Sequence, residues 1–129
     1  MKGTFNHVQF NVASPGTSIP FYRDLLTYFE MQVIADEPGF LGVSDGHTSF
    51  WFLPAEKDHI YDRDAAGINH LGIAVSSNAD VDAFSSSFME QRGIEPQWDT
   101  PRSRPDFGKY YQVMFEDPEG LAIEVFHAE

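Results

Sequence analysis

Apolar and polar residues alternate from Thr4 to Val12, with Val8, Phe10 and Val12 on one face and Phe5, His7, Gln9 and Asn11 on the other. A period of two predicts a strand with one polar side. Pro15-Gly16 interrupts it. Thr17 or Ser18 then caps a helix expected over about 20–29, with Pro20 in its first turn and Phe21, Tyr22, Leu25, Leu26 and Phe29 forming an apolar stripe. Strands follow at 31–35 and 40–43, and Asp45-Gly46 turns the chain into another at 48–53.

Residues 54–67 are polar and charged and read as a connector. His47 and His59 fall in turn and connector sequence and are read as solvated. The pattern then starts again, since Ile68–Val75 (INHLGIAV) repeats Phe5–Val12 (FNHVQFNV) at an offset of 63 residues. That offset places Asn6-His7 on Asn69-His70, Phe21 on Phe84, Leu25 on Phe88 and Leu26 on Met89. A second helix is expected over 79–91, stopped by Gly93. A short strand at 94–98, a loop at 99–108 and a strand at 109–116 come next. Asp117-Pro118-Glu119-Gly120 is a tight turn, with Pro at its second position and Gly where φ is positive. The order is βαβββ twice: module one at 1–53, the connector at 54–67 and module two at 68–129, within a single domain whose units share a core.

In the last strand Leu121, Ile123 and Val125 share one face, and Ala122, Glu124 and Phe126 the other. A carboxylate in mid-strand needs water, a cation or a metal, because burying it unpaired is costly. A solvent-facing Glu is the plainest reading, but His7 and His70 hold equivalent places on the polar sides of the two first strands. Pseudo-symmetry would bring them together with Glu124. Two imidazoles and a carboxylate suit one divalent ion: Fe2+, Mn2+, Zn2+ or Ni2+.

The chain has no cysteine, so disulfides, thiolate zinc sites and cysteine nucleophiles are excluded. Eight basic residues against 20 acidic leave a formal charge of -12, which disfavours nucleic acid and anionic membranes as partners. Three of those basic residues, Arg102, Arg104 and Lys109, lie in one short stretch. No long apolar run suggests a leader or a membrane span, so a cytoplasmic protein is expected.

The N-H-x-x-x-x-V first strands, the F-Y-R-D-L-L helix and the D-P-E-G-L-A-I-E-V tail together resemble the vicinal oxygen chelate superfamily of glyoxalases, bleomycin-resistance proteins, extradiol dioxygenases and fosfomycin-resistance transferases. The resemblance spans essentially the whole chain. It implies an α+β fold of two tandem βαβββ modules forming a barrel-like mixed sheet with helices outside. It also implies a homodimer, and a metal held by His7, His70 and Glu124 that chelates a small substrate through adjacent oxygens. Glyoxalase I carries a further Glu on the last strand of module one, where this chain has Phe50, Trp51 and Phe52, so that activity is not expected. Met114 and the 105–107 region stand where the dioxygenases place a Tyr and a His, and Tyr110 or Tyr111 is the candidate substitute as acid or hydrogen-bond donor. Gln9, Phe50 and Trp51 are expected to line the pocket, and Arg102, Arg104 and Lys109 to close over an anionic group. The alternative is a metal-independent, bleomycin-resistance-like module that sequesters a cationic aromatic ligand.

Overall fold

Two βαβββ modules follow one another in the computed structural model, which describes residues 1–129. The chain divides into two compact units, Met1–Ile60 and Tyr61–Glu129. No helix is long and apolar enough to cross a membrane.

In the first unit β1 (His7–Val12), β2 (Gln32–Glu37), β3 (Phe40–Ser44) and β4 (Ser49–Pro54) make one sheet in the order β1-β4-β3-β2. β1 and β4 are parallel, with His7 opposite Ser49, Gln9 opposite Trp51 and Phe10 opposite Phe52. The helix α1 (Pro15–Tyr28) begins five residues before the expected start at Pro20. Pro15 does not break the chain but opens the helix. Its fixed φ suits the first helical position, where no N–H is needed, and the Ser14 carbonyl accepts the first turn's N–H groups from Thr17 and Ser18 at 3.0 and 2.8 Å. The buried side of α1, with Tyr22 and Leu25, meets the Val8/Phe10/Phe52 side of the sheet: Tyr22 stacks on Phe52 at 4.3 Å and Phe10 on Phe52 at 5.1 Å.

In the second unit β5 (His70–Ala74), β6 (Gln97–Ser103), β7 (Tyr110–Glu116) and β8 (Ala122–Ala128) repeat the arrangement in the order β5-β8-β7-β6. The helix α2 (Asn78–Phe84) starts on Ser77, whose Oγ accepts the Asp80 N–H at 3.1 Å, and passes through a π turn at Ser85–Met89 to end at Gly93. It buries Phe84 and Phe88 fully, and Val113 and Phe115 of β7 are fully buried as well, with Phe84 meeting Phe115 at 5.5 Å. β6 extends through residues expected to form a loop. Its pairing with β7 breaks between Gln97 and Arg102, where Trp98 and Asp99 both take positive φ, a geometry that L residues adopt only under constraint.

The Asp117–Gly120 turn fixes the register of β7 on β8 and so decides which side chains meet Glu124. Asp117 is buried, and its Oδ1 accepts the N–H groups of Glu119 and Leu121, each at 2.8 Å, while Gly120 supplies φ 89°. Asp117→Ala leaves two donors unmatched and is expected to cost about 1–3 kcal/mol, with Asp117→Asn, which keeps an acceptor, costing less. Urea unfolding midpoints measure both, and an Ala variant as stable as the parent refutes this role.

Candidate functional site

The pleat sorts the expected site residues into two groups. In the second unit His70, Gly72 and Ala74 of β5 stand opposite Ala122, Glu124 and Phe126 of β8, and Glu124 in turn stands opposite Met114 of β7. Two residues earlier on β7 and on the same face lies Gln112; two earlier again lies Tyr110. Tyr111, one residue on, points to the other side and donates its hydroxyl to Asp82 of α2 at 2.7 Å. Of the two tyrosines, only Tyr110 meets the carboxylate.

That meeting is close. The Tyr110 hydroxyl donates to Glu124 Oε1 at 2.9 Å, and its ring stacks on Phe126 at 4.9 Å and 9°. Burial, together with the hydrogen bond to Glu124, pushes the phenol well above its ordinary range, so Tyr110 keeps its proton throughout the neutral region. The other carboxylate oxygen, Oε2, lies 3.3 Å from His70 Nε2. Glu124 is 5% exposed, so it draws its compensation from these neighbours rather than from bulk water. Gly72 keeps this corner open, since a β-carbon there would sit 3.6 Å from Oε2 and press on the Phe126 ring at 3.2 Å.

His70 is itself held from behind, its Nδ1 lying 2.8 Å from Asn69 Oδ1. His7 has the same contact with Asn6 at 2.9 Å in the first unit. At Asn69 the amide nitrogen donates to the Arg63 carbonyl, so its oxygen faces the ring and accepts from a protonated Nδ1; a neutral His70 then leaves its Nε2 lone pair facing outward. At His70 that lone pair faces a carboxylate oxygen. Two acceptors 3.3 Å apart repel unless a proton or a cation lies between them. His70, Glu124 and the gap at Gly72 therefore fit a divalent ion by the chemistry of their donors. The structure brings two of the three expected ligands together, and no group of three or more His, Asp or Glu side chains is assembled for a metal.

In the first unit the register names the residue at the place equivalent to Glu124. Gln9 pairs with Trp51 as Gly72 pairs with Glu124, so the indole replaces the carboxylate. Its Nε1–H donates to Ser49 Oγ at 2.9 Å, and its ring covers Gly42 so closely that a β-carbon there would fall 2.6 Å away. Gln9 donates to Asn11 Oδ1 at 3.1 Å on the same face. Phe50 does not line that face. It pairs with Val8, one residue from Trp51, and the pleat turns it to the α1 side.

Within the basic stretch, two of the three cations have acidic partners in this chain. Arg104 is bidentate to Asp106 at 2.9 and 3.2 Å and lies 4.6 Å over the Phe107 ring, and Lys109 is paired with Glu129. The hydrogen bond to Asp106 raises the Arg104 guanidinium's already high pKa, with Glu124 adding a smaller pull in the same direction. Arg102 lies in β6 opposite Gln112. Asn69, Gly72 and Gln112 are the residues that the sequence reading missed. Only the Asn-His repeat held a signal for any of them.

A comparison with proteins of curated function finds no match. Solved structures do match. A proposed glyoxalase from Bacillus halodurans aligns at TM-score 0.87 and 23% identity, covering 98% of this chain and 97% of its own. A glyoxalase/bleomycin resistance protein from Albidiferax ferrireducens T118 aligns at TM-score 0.74 and 23% identity, covering 96% and 98%. A lactoylglutathione lyase from Agrobacterium tumefaciens aligns at TM-score 0.70 and 20% identity, covering 99% and 96%. These likenesses carry the fold. The family model covers residues 4–125, both first-strand histidines and Glu124 included, and by that match the chain belongs to the Glyoxalase/Bleomycin resistance protein/Dioxygenase superfamily.

Proposed function

We propose that the protein is a divalent-metal-dependent enzyme acting on a small substrate with adjacent oxygen atoms. One observation carries this reading: His70 Nε2 lies 3.3 Å from Glu124 Oε2 while Tyr110 occupies Oε1. A hydrogen-bond donor on one oxygen leaves the other as the free anionic donor, which is what a cation beside an imidazole requires. His7 holds the equivalent place of the first module and stays in the proposed donor set on the strength of the sequence repeat alone.

A bound divalent ion supplies Lewis acidity, stabilising negative charge on the chelated oxygens. Around it Tyr110 keeps Glu124 turned toward His70 and retains its own proton, so it serves as a hydrogen-bond donor rather than as a base. Phe126 and Met114 flank the carboxylate with apolar surface and limit water at that point. Trp51, standing where glyoxalase I carries a carboxylate, argues against that reaction and leaves dioxygenase, lyase or transferase chemistry. A homodimer and a cytoplasmic location belong to the same proposal.

A second reading rests on Trp51 itself. An indole lying on a glycine is a flat aromatic surface, and with a chain charge of -12 it suits a cationic aromatic ligand sequestered without chemistry.

Metal content by mass spectrometry, on untagged protein purified without chelators, separates the two. Near-stoichiometric metal is expected in the parent protein and at most traces in His70→Ala. Parent protein that takes up no Mn2+, Fe2+, Ni2+ or Zn2+ even on incubation refutes the enzyme reading and leaves the binding module.

A further inference from the structure

The polar connector, which in sequence merely joins two modules, ends in a clamp. Asn69 Nδ2 donates to the Arg63 carbonyl at 2.8 Å. That carbonyl can only accept, so the amide orientation is decided by chemistry: nitrogen toward Arg63, oxygen toward His70. The loop holding the Arg63 carbonyl is tied down in turn. Ala65 N–H donates to the Asp62 carbonyl at 3.1 Å, Asp64 N–H to Asp62 Oδ1 at 2.9 Å, and the Tyr61 hydroxyl lies 2.5 Å from the carbonyls of both Ile68 and Asn69. The Arg63 guanidinium rests 4.1 Å over the Trp98 ring. Asn69 therefore has little freedom to turn its amide over.

We infer that Asn69 is a positioning residue that sets the neutral tautomer of His70, holding the proton on Nδ1 and the lone pair on Nε2 toward Glu124. A free histidine side chain prefers the opposite tautomer, with its proton on Nε2. In that form Nε2–H would donate to Glu124 and close the site as an ordinary hydrogen bond. The choice between a closed His–Glu hydrogen bond and a pair open to a cation thus lies with an amide that touches His70 and not the carboxylate. Asn6 makes the same contact with His7 at 2.9 Å, so the Asn-His contact recurs in the first module. Its consequence for metal affinity rests on the proposed function, but its effect on the tautomer does not.

Long-range 1H–15N correlation spectra of metal-free protein report which ring nitrogen is protonated, and about pH 9 keeps an ordinary imidazole neutral. His70 is assigned as the ring missing from the spectrum of His70→Ala. The parent is expected to show the Nδ1–H form, and Asn69→Ala to move His70 to the Nε2–H form. Asn69→Asp, which keeps an acceptor beside Nδ1 while giving up the N–H donated to the Arg63 carbonyl, is expected to retain Nδ1–H, and circular dichroism of both variants serves as the control for folding. A parent His70 protonated on Nε2 or on both nitrogens, or an unchanged tautomer in a folded Asn69→Ala, overturns the inference. In Zn2+ competition with a chromophoric chelator, Asn69→Ala is expected to bind about 10–100-fold more weakly than the parent. A tautomer switch in a protein whose parent binds no Zn2+ upholds the role of Asn69 and refutes the metal reading alone.

Discussion

Glu124→Gln is expected to abolish tight binding of divalent ions while leaving the fold intact. Gln has the same shape, and its amide oxygen can still accept from the Tyr110 hydroxyl that lies 2.9 Å from Oε1. The amide nitrogen then faces His70 Nε2, where it donates to the lone pair that Asn69 presents. An open pair of acceptors becomes a closed hydrogen bond. Loss of an anionic ligand should weaken Zn2+ binding by more than the 10–100-fold typical of an outer-shell change.

Thermal stability offers a second readout of the same variant. A metal in 100-fold excess over its dissociation constant stabilises the native state by about 2.7 kcal/mol, so the parent's Tm should rise with Zn2+ and that of Glu124→Gln should not. Without metal, a neutral amide is less costly to bury than a carboxylate, and the variant is expected to equal or slightly exceed the parent. Tight Zn2+ binding retained by Glu124→Gln would remove this carboxylate from the site.

The largest loss of stability is expected from Phe52→Ala. Phe52 is 1% exposed, stacks on Tyr22 at 4.3 Å and on Phe10 at 5.1 Å, and pairs in register with Leu41. It thereby joins α1 to β1, β3 and β4. Removing the ring takes away apolar burial and leaves a cavity between elements too regular to collapse, at a cost of about 3–5 kcal/mol. Against a total of about 5–15 kcal/mol for an ordinary domain, this is a large share. Calorimetry should show Tm lowered by roughly 10–20 °C. Phe52→Leu, which keeps part of the volume, should lose less than half as much, and an Ala variant within about 1 kcal/mol of the parent contradicts the packing described.

The repeat was legible because identical local demands recur 63 residues apart. Both first strands need the same alternation, and both carry Asn-His at the same step. Period-two faces placed Glu124 opposite the apolar Ile123 and Val125, and the register agrees. Strand and helix limits were less legible. Pro15 reads as a breaker unless the chain is known to enter a helix there, and the strained pair Trp98-Asp99 interrupts a strand that local preference would have ended.

By itself, the sequence determined the two-module order, the absence of thiol chemistry, the acidic surface and the family, because these depend on composition and on patterns between near neighbours. Which side chains meet was decided only by the tertiary structure. Tyr110 rather than Tyr111 reaches Glu124, and Trp51 rather than Phe50 takes the place equivalent to Glu124, because strand register moves every side chain by one face per residue. That register is set by a turn and by the packing of a helix, through contacts between residues far apart in the chain.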